Sequence, residues 1–302
     1  GVNPGPVAVI GFYIISGYVI SYILDYRIKG KILKSFYAER FFRIYPQFLF
    51  HLIVSVMFIL LTGHTIGMTE TLPDWKSIAT NLFLFPLQFK AFSGYLYSIL
   101  YVPTSWSLSL EISFYLVAPI ILKFRFLDLV AATSFGIFAL AIFDFLPPSA
   151  HAYSYATIFG TLHFFILGTW LQRKQTKKIG IWVGAMILTS LAITFWGSWR
   201  PPHLDEVIIG GLFGILIIKF LAGYKNQHFK PIDDFLGRLS YPVFLNHFLF
   251  IWTFEWLDFP VQAFNIQIAI LTMSWIFAWI AYRLVETPID GFRRSLRFTG
   301  KV

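Results

Sequence analysis

Long, nearly uninterrupted apolar runs recur along the whole chain, at residues 7–24, 45–61, 106–122, 127–143, 155–171, 179–196, 207–221, 241–257 and 261–284. A helix that crosses roughly 30 Å of hydrocarbon needs about 20 mostly apolar residues. The pattern therefore predicts an all-α, polytopic transmembrane bundle of about nine helices. The stretch 78–101 is apolar too, but Pro86 and Gly94 cut it into pieces too short to span, which places it at the outer interface. It belongs to the longest non-spanning region, 62–105, and loops of that length usually serve function or cover a site. There is no low-complexity tract, no soluble domain and no repeat of fixed period, so residues 1–302 are expected to form a single integral-membrane domain.

Composition and charge sharpen this picture. Charged residues make up 13% of the chain, against about 25% in a typical soluble domain. The absence of cysteine removes disulfides, thiolate nucleophiles and iron–sulfur clusters together. A net charge of +9 raises the question of nucleic acid, and the placement of the basic residues answers it. Nine spans put alternate connections on opposite sides. The connections at 25–43, 123–125, 173–178, 219–238 and 283–301 then carry all but three, Lys76, Lys90 and Arg200, of the 24 basic residues. Acidic residues divide evenly, so the bias is one of Lys and Arg, as the positive-inside rule requires. The charge is topology, and nucleic acid is not an expected partner. The same count puts the carboxyl terminus in the cytoplasm and the amino terminus outside. The chain begins with Gly and lacks a signal-peptide pattern ahead of its first span. One further helix upstream is therefore expected, making ten in the full protein, with residues 1–302 a domain truncated at its amino end.

Glu111 is the one carboxylate placed inside a predicted span. An ionisable group at that depth costs a few kcal/mol or more unless paired or neutral, which makes it a functional candidate as acid, base or orienter; the alternative is a hydrogen-bonded Glu that joins two helices. His51, His163 and His247 also fall in spans, each more readily explained as an interhelical hydrogen-bonder than as a catalyst. No His-x-x-x-His or His-Glu-x-x-His spacing occurs, so no metal site is expected. Arg40 and Arg43 stand three residues apart, share a helix face and could together grip a phosphate, or simply anchor the chain at the headgroups. Ser16-Gly17 reads most simply as a small-residue helix contact.

Taken together, these stretches resemble the acyltransferase family 3 membrane proteins. Phe12-Tyr-Ile-Ile-Ser16-Gly17-Tyr-Val-Ile is similar to the family's Phe-Phe-x-x-Ser-Gly-Phe-x-Ile segment, and Arg40-Phe-Phe-Arg43-Ile-Tyr45-Pro46 to its Arg-x-x-Arg-Ile-Tyr-Pro motif. Trp106-Ser-Leu-Ser-Leu-Glu111, with Phe114-Tyr115-Leu and Pro119, resembles Trp-Ser-Leu-x-x-Glu-x-x-Phe-Tyr-Leu-x-x-Pro. Ser240-Tyr241-Pro-Val-Phe-Leu-Asn-His247 and Tyr282-Arg283-Leu-Val-Glu286-Thr-Pro288 match two late motifs. Five matches in order cover nearly the whole chain.

The resemblance implies a membrane O-acyltransferase that moves an acetyl group from cytoplasmic acetyl-CoA to a hydroxyl of a cell-surface or exported carbohydrate or glycolipid, in a multi-pass protein of the bacterial inner membrane. Acetyl-CoA would be a substrate, with no bound cofactor. Arg40, Arg43, Tyr45 and Ser16 would serve the donor, and Glu111 and His247 would support catalysis. The family's catalytic histidine lies on its first helix and has no counterpart among residues 1–302. A transporter or flippase for a lipid-linked sugar or acyl carrier is the competing expectation, supported by the glycine-rich Gly210-Gly211-x-x-Gly214.

Overall fold

The computed structural model describes residues 2–27, 33–64, 73–89, 92, 100–123, 126–146, 152–196, 203–223 and 230–296, and among these residues every regular element is helical. The helices are α1 (Pro4–Tyr22), α2 (Leu33–Thr62), α3 (Trp75–Phe83), α4 (Ser105–Ile121), α5 (Leu127–Ile142), α6 (Ile158–Gln172), α7 (Thr176–Trp196), α8 (Leu204–Gly223), α9 (Lys230–Trp256), α10 (Phe264–Ala281) and α11 (Thr287–Leu296). Short π-helical turns lie at Ile23–Arg27, Ala152–Ala156 and Tyr282–Glu286.

Each of the nine predicted runs is a helix. Five stretches, Pro4–Tyr26, Leu33–Thr62, Thr176–Phe195, Leu204–Gly223 and Phe264–Arg293, are long and apolar enough to cross a membrane outright. Helices α4, α5 and α6 are shorter, and α9 carries Asn246, His247 and Glu255 within its apolar stretch. Large apolar side chains such as Ile53, Leu61, Ile181, Leu188, Phe195, Leu216 and Leu271 face outward, while Ser55, Ser109, Glu111, Ser134, Thr161 and His163 are buried. Polar groups inside and apolar groups outside is the arrangement hydrocarbon demands. The chain is a multi-pass membrane protein.

Two compact units divide the chain: residues 1–33 with 109–225, and residues 34–108 with 226–302. In the first, α1 packs against both α6 and α8, and α5 packs against α6. The α1–α6 crossing is made by glycine. A Cβ added at Gly17 would stand 1.9 Å from the Phe165 carbonyl oxygen, and one at Gly168 would stand 2.0 Å from that of Ile14. Without side chains at these points the two backbones touch, the small-residue contact expected of Ser16-Gly17. Gly210 does the same for α8 against the Val7 backbone of α1, and Gly214 makes room for the Ile14 side chain. Helix α8 is unbroken through them, so the glycine-rich stretch is a packing face and not the interrupted helix of a transporter. Beside the glycines, Tyr13, Phe165 and Phe114 stack with centroids 4.8 and 4.4 Å apart.

Ion pairs mark the helix ends of this unit. The Arg173 guanidinium donates to both carboxylate oxygens of Asp25 at 2.9 Å and to the Leu122 carbonyl, gathering the carboxyl ends of α1, α4 and α6. Asn3 donates its backbone N–H to Glu206 at the opposite end. Helices α1, α4, α6 and α8 of this unit therefore run in the same direction.

In the second unit α9 packs against α10. Buried amides hold the helices in register: Gln47 donates to the Ala281 carbonyl at 3.2 Å and Asn246 to that of Ser274 at 3.0 Å. The segment between α2 and α4 is broken as its composition predicts. Helix α3 starts at an Asp74–Ser77 capping box, whose hydrogen bonds hold the Asp74 carboxyl below its ordinary range. It stops after nine residues at Leu84, where φ is +55°, and a 3₁₀ turn follows at Phe85–Phe89. Nine residues span about 14 Å, too little to cross; Gly94 lies outside the described residues. Asn81 accepts from the Tyr101 N–H, and Thr104 donates to the Phe244 carbonyl, so the chain entering α4 is tied down before the helix begins.

Replacing Gly168 by Ala is expected to lower stability by more than about 2 kcal/mol, because backbone and not a movable side chain occupies the Cβ position. Gly136→Ala, where a Cβ meets nothing within 4 Å, is expected to be neutral or slightly stabilising. Thermal unfolding in detergent compares the two.

Candidate active site

Glu111 lies in the second turn of α4, which crosses from the second unit into the first at Ser109. It is 6% exposed. The Ser16 hydroxyl donates to its Oε1 at 3.3 Å, and the Tyr115 hydroxyl, one turn on along α4, donates to the same oxygen. A carboxyl oxygen has lone-pair sites for both. Ser16 is brought there by the glycine next to it: the α1–α6 crossing at Gly17 fixes the rotation of α1 that presents Ser16 to α4. One turn before Ser16, the Tyr13 phenol is fully buried without a hydrogen-bond partner, within electrostatic reach of Glu111 and Tyr155. An unsatisfied buried donor costs about 1–3 kcal/mol, so such a group beside a buried carboxyl marks a place where a substrate's polar atom would be welcome.

Ser16, expected to serve the donor, thus sits on Glu111. Tyr115 and Tyr13 join the same cluster, and the sequence signal for both is spacing: Tyr115 is i+4 from Glu111, and Tyr13 is i−3 from Ser16.

The remaining candidates belong to the second unit. Arg40 is buried at 9% exposure, and its Nε and Nη2 both meet Glu39 Oε2 in an ion pair. Arg43, one turn on, is exposed and within electrostatic reach of Glu286. Tyr45 stacks on Phe41 at 4.5 Å and donates its hydroxyl to the Phe83 carbonyl at 3.0 Å. His247 is half-buried on α9, its Nδ1 3.3 Å from the Val243 carbonyl and its ring 4.6 Å from Phe248.

Arg293 organises the charges around Arg40. Counted from sequence among ordinary positive-inside residues, it is instead 2% exposed. Its Nη1 donates to Glu286 at 3.0 Å and Asp290 at 3.1 Å, and its Nη2 lies 3.8 Å from Glu39, the partner of Arg40. The 286/290/293 spacing on one helical face is the signal that could have found it.

The other intramembrane histidines are structural in their contacts. Trp182 donates to His163 Nδ1 at 3.0 Å inside a cage of Phe135, Phe138 and Phe164, and His51 Nδ1 lies 2.7 Å from the Gln47 carbonyl. Among the described residues no three His, Asp or Glu side chains are grouped to hold a metal ion. His151 and His228 lie outside the described residues.

Comparison with known proteins gives the family. The family model described as an acyltransferase domain matches residues 2–283. Nodulation protein 10 of Rhizobium leguminosarum is 24% identical over 94% of this chain and 82% of its own length. The O-acetyltransferase OatA of Staphylococcus aureus is 24% identical over 93% of this chain, which spans about half, 52%, of OatA. An uncharacterized protein of Aquifex aeolicus is 26% identical over 65% of this chain and 90% of its own. No solved structure matches significantly.

Arg293→Met is expected to destabilise the protein by about 3 kcal/mol or more, since it strands the carboxylates of Glu286 and Asp290 and takes the second cation from Glu39. Arg43→Gln, at an exposed position, is expected to stay within about 0.5 kcal/mol of wild type. Equal melting temperatures for the two variants would contradict the network.

Proposed function

We propose, since the chain belongs to the acyltransferase family matched over residues 2–283, that this membrane acyltransferase moves an acetyl group from cytoplasmic acetyl-CoA to a hydroxyl of a cell-surface or exported carbohydrate. The observation that carries the reading is the buried Glu111 carboxyl, held by the Ser16 and Tyr115 hydroxyls beside the unsatisfied Tyr13 phenol. The name of the OatA relative, an O-acetyltransferase, supports acetyl as the group and oxygen as the acceptor atom. The location is the inner membrane, with the carboxyl terminus on the cytoplasmic side, as the distribution of Lys and Arg suggests.

In direct transfer the acceptor oxygen bonds to the thioester carbonyl carbon, the carbon–sulfur bond breaks, and the hydroxyl proton leaves with the coenzyme A sulfur. Two demands follow: proton handling at the hydroxyl and stabilisation of the oxyanion. Glu111 meets the first, either by accepting the acceptor's hydrogen bond or by supporting the charge of the base. Tyr13, whose O–H has no partner, supplies a donor for a substrate oxygen. His247 acts in support. Arg43 and Arg40 meet the phosphates of the donor, with Arg43 the exposed cation and Arg40 set behind it through Glu39.

Glu111→Gln keeps the side chain's shape but removes its ability to exchange a proton or carry charge. It is expected to lower acyl transfer at least about 100-fold with normal membrane expression; wild-type activity would remove Glu111 from the chemistry. Tyr13→Phe deletes an unsatisfied hydroxyl, so stability should hold or rise while activity falls about tenfold. Replacing Arg40 and Arg43 by Ala should weaken the apparent affinity for acyl-CoA; a loss of protein level alone would make them topology anchors. The acceptor is tested by mass spectrometry of surface polysaccharide from cells with and without the full-length gene. A base-labile acetyl increment that depends on the gene is the expected result.

A further inference from the structure

One cavity of the second unit lies apart from these residues. It is an open space of about 630 Å³ between the first turns of α9 and the end of α10, lined by Lys230, Asp234, Arg238, Trp279, Tyr282 and Arg283, among others. Three cations face one carboxylate. Arg238 Nη1 donates to the Tyr282 hydroxyl at 3.2 Å, which fixes the guanidinium on the wall and leaves the phenol's own hydrogen for a ligand. Among the described residues neither Lys230 nor Arg283 forms an ion pair.

Cations that merely satisfied the positive-inside rule would be scattered in solvent. Here they surround a concave space with an aromatic wall. Trp279 and Tyr282 are the amphipathic residues favoured at headgroup depth, and Phe235 and Leu239 extend the wall with apolar surface. A guanidinium beside an unpaired guanidinium and an ammonium is the chemistry that binds phosphate oxygens.

We propose that this cavity is a binding site for a phosphate ester at the membrane surface. Two sources present that chemistry: the headgroup of an anionic phospholipid, and the nucleotide of the acyl donor, the second resting on the acyl-transfer reading above. The first follows from charge and position alone, since basic pockets between helix ends take anionic headgroups.

Native mass spectrometry of the detergent-purified protein separates the sources. Phosphatidylglycerol, phosphatidylcholine and 3′,5′-ADP are each titrated against wild type, the double variant Arg238→Gln with Arg283→Gln, and Lys219→Gln, an exposed lysine of the first unit. The expected result is retention of phosphatidylglycerol over phosphatidylcholine, or binding of 3′,5′-ADP, weakened at least about tenfold in the double variant and unchanged in Lys219→Gln. Preference for the lipid assigns a headgroup; binding of the nucleotide alone assigns the donor. Undiminished binding in the double variant, equal loss in Lys219→Gln, or no binding of either phosphate compound overturns the site. Arg283→Gln alone, at an exposed and unpaired position, carries the same test should the double variant melt early. The readout is binding, so an inactive enzyme leaves it intact.

Discussion

The close approach of α1 to α6 is the contact on which the first unit depends. Hydrocarbon offers no hydrophobic driving force between helices, so association rests on backbone packing and hydrogen bonds. Gly17 and Gly168 let the two backbones meet at a distance no Cβ would allow, and Gly210 repeats the device for α8. With α1 locked between two neighbours, its rotation is no longer free. Tyr13, Ser16 and the stack onto Phe165 then face inward together, and Ser16 meets Glu111. A dipeptide that looks like a packing motif in sequence therefore also sets the geometry of a buried carboxyl. Gly17 makes the helix contact, and Ser16 carries the hydrogen bond.

Buried charge is organised differently in the second unit. There the carboxylates of Glu39, Glu286 and Asp290 surround one guanidinium, that of Arg293, and Glu39 in turn holds Arg40. Breaking such a network costs more than any of its pairs adds, because an unpaired charge is left without water. The π-helical turn at Tyr282–Glu286 lies between α10 and α11 and ends at Glu286, one of the carboxylates of the cluster. Irregular turns of this kind within helical segments recur at functional sites. Exposed Arg43 stands beside this cluster, within electrostatic reach of Glu286.

Catalysis and the phosphate cavity make separate use of one principle. A polar atom without a partner in a dry setting is an invitation to a ligand. Tyr13 supplies it as an orphaned hydroxyl in the core; Lys230 and Arg283, exposed on the cavity wall, are cations without an ion pair among the described residues. Family membership and the O-acetyltransferase relative give the first a reaction to belong to. The second stands on charge and shape.

The sequence alone determined the helices and the candidate carboxyl, because apolar run length and an isolated intramembrane Glu are each local properties governed by the cost of polar groups in hydrocarbon. The spacing of residues 40 and 43 suggested one helical face, but it did not show that Arg40 would be buried and Arg43 exposed. Tertiary structure decided what no single segment contains. Ser16 and Glu111 are 95 residues apart, and Arg293 meets Glu39 across more than half the chain. Such pairings depend on which helix faces which; in the first unit that is set by backbone contacts at glycines whose partners the one-dimensional pattern does not name.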